Sequence, residues 1–250
     1  MSNNKMSLNT VKILGVTVVS TPEAEVLERV VRFLAGPRLT TPLLIFTPNP
    51  EFLVEAQKDL SFKELLNKAD INLPDGIGLV WASRFLGAPI KERISGAEVV
   101  RELLEIGNKG ERWEVGIAGA RREVREETNE LVKRLRERYP QIEFVNLDCE
   151  DKKLKIKNLK LKIVFACQGM KKQEEWIWEN KDKIKANVFM GIGGSLDFIA
   201  GFTKRAPRWI QEVGFEWLWR GLQRPSHFKR IRKAVFVFGW LVVREKLNAT

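Results

Sequence analysis

The sequence predicts an α/β protein with a Rossmann-like, mostly parallel sheet, helices on both faces and a C-terminal amphipathic helical appendage. Three observations carry this reading. Short apolar runs rich in branched residues alternate with stretches of helical period, as in a parallel sheet whose crossovers are helices. Apolar runs end in polar turns that open a helix, as Leu43-Leu44-Ile45-Phe46 does into Thr47-Pro48-Asn49-Pro50-Glu51. The last fifth of the chain changes to interleaved basic and aromatic residues. With 250 residues the chain is long enough for one such domain and an appendage. The expected division is an α/β domain over 1–203 and a basic aromatic segment over 204–250.

Taken in order, residues 13–19 alternate and are rich in Val, which predicts one strand, and Thr21-Pro22-Glu23 starts a helix that Gly36 ends. After the Leu43 strand, Asn49 reads as an N-cap. Pro50 suits the first helical position, where its missing N–H is not needed, and Glu51 favours the first turn. Helices fill 50–68. Ala69-Asp70-Ile71-Asn72-Leu73 alternates as a strand and runs into Pro74-Asp75-Gly76-Ile77-Gly78, after which a helix continues through Phe85 and stops at Gly87. A basic loop with Lys91 and Arg93 leads to Ser95, expected to cap a helix over 97–106. Strands are then predicted at 113–118, 142–147, 161–166 and 187–190, with helices at 121–138 and 171–178. Residues 148–158 read as an exposed loop or short helix. Ligands of such sheets bind beyond the carboxyl ends of the strands, so Thr47, Asn49 and Asp75 are expected on one rim.

Two glycine turns follow strands and open helices: Gly116-Ile117-Ala118-Gly119-Ala120 and Gly191-Ile192-Gly193-Gly194-Ser195. Either could hold a phosphate on its backbone amides, and either could serve only tight strand-to-helix packing. Neither is the G-x-G-x-x-G dinucleotide fingerprint.

The formal charge of +11 and sequence pI near 9.7 point to an anionic partner: nucleic acid, phosphorylated substrate or acidic lipid. From Lys204 onward there are eleven Lys or Arg against three Glu, so +8 of the charge lies in the tail. There Trp209, Trp217, Trp219, Phe228 and Trp240 are interleaved with Arg205, Arg208, Arg220, Arg224, Lys229, Arg230, Arg232 and Lys233, the composition of an interfacial membrane segment. Nucleic-acid binding uses the same residue types, and a helix pair with its Trp packed inward is the plain structural alternative. Cys149 and Cys167 are too few for a disulfide framework, and Met1 to Lys5 lack the apolar core of a signal peptide, so a cytoplasmic location is expected. The longest apolar run, 234–243, is about half of what a spanning helix needs.

Thr47-x-Asn49, Asp75-Gly76-x-Gly78, Arg93-Ile94-Ser95-Gly96, Lys172-Gln173-Glu174-x-Trp176, Gly193-Gly194-x-x-Asp197 and Arg205-Ala206-Pro207 occur in that order. This series resembles the WecG/TagA/CpsF family of bacterial glycosyltransferases over roughly residues 13–232, closest to its TagA branch. The resemblance implies a membrane-peripheral enzyme on the inner face of the cell membrane. Its donor would be a UDP-sugar and its acceptor a polyprenyl diphosphate-linked N-acetylglucosamine, with N-acetylmannosamine transferred in wall teichoic acid synthesis. Related sugars of other branches are the alternative within the family, and a non-enzymatic nucleic-acid-binding protein is the rival class. Whether the chain self-associates is left open.

The resemblance implies Asp75 as the catalytic base. For substrate binding it implies Thr47, Asn49, Arg93, Gln173, Glu174, Gly193, Gly194 and Asp197, with Arg205, Arg220, Arg224 and Arg230 closing over diphosphate. The chain lacks an Asp-x-Asp motif, its nearest approach being Asp148-Cys149-Glu150-Asp151, and its only histidine is His227. No metal and no cofactor are therefore expected, and cationic side chains are expected to stabilise the departing diphosphate. Lys171 stands where the family often has proline, and Glu98 where it commonly has Asp.

Overall fold

The computed structural model describes residues 8–36, 41–120, 125–148, 160–204, 206–207, 210, 219 and 225–248. Strands β1 (Thr10–Ile13) and β2 (Val16–Val19) form an antiparallel hairpin. They are followed by helix α1 (Glu23–Ala35), β3 (Leu43–Phe46), α2 (Pro50–Lys58), α3 (Leu60–Asn67), β4 (Ile71–Asn72), α4 (Ile77–Leu86) and α5 (Gly96–Gly107). The second half contributes β5 (Trp113–Ala118), α6 (Arg125–Arg138), β6 (Ile142–Asn146), β7 (Leu161–Ala166), α7 (Lys172–Asn180), β8 (Ala186–Gly191), the short α8 (Ser195–Ile199) and α9 (Pro225–Asn248).

The main sheet has six strands in the order β4-β3-β8-β7-β5-β6, every neighbouring pair parallel. Both faces are buried. On β3, Leu43 and Ile45 face the layer of α1, α5, α6 and α8, while Leu44 and Phe46 face α2, α3, α4, α7 and α9. This two-sided burial is why the strands read as near-continuous apolar runs.

One predicted strand is corrected. Residues 13–19 are not a single strand but the end of β1, a two-residue turn and β2, with Ile13 opposite Val16. Leu14 and Gly15 both have positive φ, 51° and 75°, as a primed hairpin turn requires. A buried Leu in that conformation is uncommon, so the turn is not announced by Asn-Gly or Asp-Gly. Ser95 also differs from expectation: it occupies the N-cap position of α5 without a side-chain capping bond. Most of the expected loop at 148–158 lies outside the described residues.

The tail forms one long described helix. On α9, Phe238 and Val242 are buried with the residues of α2 and α4. Beside α4 the two helices run in the same direction, because a Cβ on Gly78 would lie 3.8 Å from Phe238 and one on Gly87 would lie 3.9 Å from the Lys246 ammonium. The Leu14 N–H donates to Glu245 Oε2 at 3.0 Å, tying α9 to the first hairpin. No helix among the described residues is long and apolar enough to cross a membrane.

Candidate active site

Because the six strands are parallel, all their carboxyl ends open on one edge. The helix after β3 packs on one face of the sheet and the short helix after β8 on the other, as the separate burial of Leu53 and Leu196 shows. The neighbouring strands β3 and β8 therefore flank a topological switch point, where open α/β sheets form a ligand crevice.

Thr47, at the end of β3, is buried and bridges this point: its Oγ1 donates to the Gly191 carbonyl at 3.0 Å. Gly96 makes room for it, since a Cβ there would lie 2.7 Å from Thr47 Cγ2. Asn49 is the α2 cap, its Oδ1 accepting from Glu51 N–H at 2.9 Å and Phe52 N–H at 3.3 Å. The Asp75 N–H donates to the Pro48 carbonyl at 3.0 Å, which fixes the half-buried Asp75 against the Thr47–Asn49 turn. Gly76 has φ 114°, and Gly78 leaves room for Pro50, whose Cγ would lie 2.9 Å from an added Cβ. The Ile94 N–H donates to the Pro74 carbonyl at 3.2 Å and brings the Arg93 loop to the same rim. Thr47, Asn49 and Asp75 do share a rim, and Arg93 joins them.

Arg93 also lies near the Glu23 carboxyl. Burial and the neighbouring Glu102, Glu92 and Glu98 raise the Glu23 carboxyl to about 7, with Arg93 pulling it back.

On the other side of the switch point, Gly193 takes φ 53° and its N–H donates to Gln173 Oε1 at 2.8 Å. Gly194 is exposed, and an added Cβ there would lie 3.7 Å from Asp197 Oδ2. Gln173 Nε2 donates to Glu174 Oε1 at 2.6 Å, and Glu174 Oε2 accepts from the Lys171 N–H at 2.7 Å. Burial pushes the Glu174 carboxyl up to about 7, against the lowering effect of these bonds. Lys171 has φ 71° and pairs through Nζ with Asp59 Oδ2 at 2.6 Å, which holds the Asp59 carboxyl well below the usual range. This accounts for the departure from proline. Proline can neither adopt that φ nor supply that N–H.

The two glycine turns separate here. The Gly119 N–H donates to Asp148 Oδ2 at 2.5 Å, as the Gly193 N–H does to Gln173 Oε1, but a Cβ on Gly119 would clash with Gln168 Cγ, so the first turn is packed against the loop after β7. At Gly193 an added Cβ would meet nothing within 4 Å, so the second turn faces open space. Along β4, β3, β8 and β7, the strand ends carry Asp75, Thr47 with Asn49, Gly193 with Gly194, and Gln173 in turn. At about 4.8 Å per strand, Asp75 and the Gly193 turn stand about 10 Å apart, room for a sugar and its diphosphate.

Two comparisons show what kind of protein carries this crevice. The family model described as "Glycosyl transferase WecG/TagA/CpsF family" matches residues 11–250. The chain belongs to that family. This glycosyltransferase is 35% identical over 242 residues to the N-acetylglucosaminyldiphosphoundecaprenol N-acetyl-beta-D-mannosaminyltransferase of Staphylococcus aureus strain MW2, covering 94% of this chain and 93% of the relative. It is equally similar to the protein of the same name from strain COL, at 35% identity over the same shares.

Of the predicted tail residues, Arg205, Arg220 and Arg224 lie outside the described residues, as do Trp209 and Trp217. Arg230 lies on α9, its side chain outside the description. Residues that sequence reasoning missed stand on the body. Trp81 and Phe85 of α4 are exposed by 55% and 52%, beside an α9 that exposes Phe236, Trp240, Val243 and Leu247. The signal was present: Ile77, Leu79, Val80, Trp81, Phe85 and Leu86 make α4 apolar around its whole circumference, although one face suffices for the core. Among the described residues no three His, Cys, Asp or Glu side chains gather as a metal site needs.

Proposed function

We propose that the enzyme transfers N-acetylmannosamine from a UDP-linked donor to N-acetylglucosaminyldiphosphoundecaprenol, the linkage-unit step of wall teichoic acid synthesis, at the inner face of the cell membrane. The observation that carries this is the 35% identity over nearly the full length of both chains with transferases named for that reaction. The crevice suits it. Asp75 is the general base that accepts the proton of the attacking acceptor hydroxyl; the hydroxyl oxygen forms the new bond to the anomeric carbon as the bond to the diphosphate oxygen breaks and UDP leaves with the electron pair. One displacement of this kind inverts the anomeric centre. The Gly193–Gly194 turn and Arg93 receive the charge of the leaving diphosphate, supplemented by the tail arginines.

The lipid-linked acceptor is reached through the face made by α4 and α9. Trp81, Phe85, Phe236, Trp240, Val243 and Leu247 give it apolar area, and exposed Arg232 and Arg244 give it positive charge, the two components of peripheral binding to an anionic leaflet. Since α4 begins directly after Asp75-Gly76, the base stands at the start of a membrane-facing helix.

The test is turnover with a panel of UDP-sugars against lipid-linked N-acetylglucosamine, run with and without excess chelator. UDP-N-acetylmannosamine is expected to be the best donor and activity to survive EDTA. Preference for another UDP-sugar moves the enzyme to a different branch of the family. Loss with EDTA and recovery with Mg²⁺ or Mn²⁺ removes side-chain cations as sufficient stabilisers of the leaving group.

A further inference from the structure

Gln173 and Glu174 are 1% and 0% exposed, so neither side chain reaches a ligand in the crevice. Burying a carboxylate and an amide is costly unless their hydrogen-bonding atoms are used. Here they are used on the loops that build the site. Gln173 Oε1 accepts from Gly193 N–H at 2.8 Å, Gln173 Nε2 donates to Glu174 Oε1 at 2.6 Å, and Glu174 Oε2 accepts from Lys171 N–H at 2.7 Å. Gly191 lets the pair lie against the end of β8, since a Cβ there would fall 2.9 Å from Gln173 Nε2 and 3.0 Å from Glu174 Oε1.

Thr47 Oγ1 holds the start of the turn, donating to the Gly191 carbonyl at 3.0 Å, and among the described residues the other bonds around Gly193 are local. The last sheet bond is from Ile192 N–H to the Ala166 carbonyl, at 2.9 Å. Beyond it, Ser195 closes the turn on itself, its N–H and hydroxyl both donating to the Ile192 carbonyl at 3.2 and 2.7 Å. Gly193 itself packs against nothing in the direction of a Cβ and takes a left-handed φ that glycine leaves free to change.

We infer that Gln173 and Glu174 are positioning residues, a buried strut that fixes the Gly191–Gly194 turn against the β7–α7 loop so that it meets the donor diphosphate in one conformation, with neither side chain touching the donor. The functional half of this rests on the donor site proposed above; the structural half does not.

Glu174→Gln separates the two. The variant is nearly isosteric, but its NH₂ faces either the Lys171 N–H or the Gln173 Nε2, so one bond of the strut is lost. In ligand-free protein the Gly193 amide is expected to exchange with solvent about tenfold faster, as loss of roughly one hydrogen bond predicts. With donor and acceptor varied separately, the donor KM is expected to rise about tenfold while the acceptor KM and kcat at saturation stay within about threefold. Gln173→Ala combined with Glu174→Gln should cost no more than Gln173→Ala alone, because both act through one tie. Unchanged Gly193 exchange overturns the strut. Faster exchange with an unchanged donor KM, or with equal rises in both KM values, overturns its role in donor positioning. If the wild-type enzyme shows no saturation with any UDP-sugar, the donor proposal fails and the exchange measurement still decides the strut.

Discussion

The main chain of Asp75 is held by two backbone bonds, to Pro48 and Leu73, and neither uses its carboxylate. Asp75→Asn keeps those bonds and the side-chain shape while removing basicity. Turnover should fall by ~10²–10⁴ with little change in donor affinity, and steady-state kinetics read both. Near-normal turnover would take Asp75 out of the mechanism. Glu174 carries a different kind of signature. Its carboxyl is raised by burial to about 7, from 4.5, so the folded protein binds its proton more tightly than the unfolded chain does. That stabilisation is complete below pH 4.5 and is lost as pH rises towards 7, at about 1.4 kcal/mol for each pH unit crossed. Denaturant midpoints of the wild type should accordingly decline relative to Glu174→Gln across that window, and parallel profiles would show that burial does not hold the proton on Glu174. At this scale the sequence drew attention to particular residues and said less about where their side chains lie. The Gln-Glu pair was recognisable as a motif, but its complete burial follows from the fit of α7 against Gly191, which no local pattern encodes.

At the scale of elements, strand ends and helix starts were legible because their signals are short-range. The cap at Asn49 and Pro50 and the left-handed Gly87 that ends α4 are local chemistry. The β1–β2 hairpin was not, since its turn places a leucine where glycine or asparagine is usual. The β7–α7 loop belongs with it: Lys171 adopts φ 71° and caps Glu174 from its N–H. Lys171→Pro, the residue the family resemblance leads one to expect here, should destabilise this chain by about 3 kcal/mol, by removing the N–H and forcing the φ. Lys171→Gly should be tolerated, apart from loss of the half-buried Asp59 pair. Thermal unfolding compares them, and a Pro variant as stable as wild type would mean that the loop can adopt a second conformation at little cost.

For the whole molecule, the sheet and its two layers were predictable from alternation of period, whereas the docking of α9 on α2 and α4 joins residues far apart in the chain. The exposed apolar face of α4 and α9 leads to a prediction on surface variants. Replacing Trp81, Phe85 and Trp240 together with Ala leaves Phe238 and Val242 in the core, so the protein should remain folded. It should lose most of its sedimentation with anionic vesicles and retain turnover on a short, water-soluble acceptor. Unchanged sedimentation would assign lipid contact elsewhere.

The tie between Leu14 and Glu245 bears on how the molecule is made. These residues are 231 positions apart, so the first hairpin and the apolar sides of α2 and α4 are covered only after α9 has left the ribosome. Until then a nascent chain carries an uncovered apolar flank, and the docking of α9 both closes that flank and sets Phe236 and Trp240 beside Trp81 and Phe85.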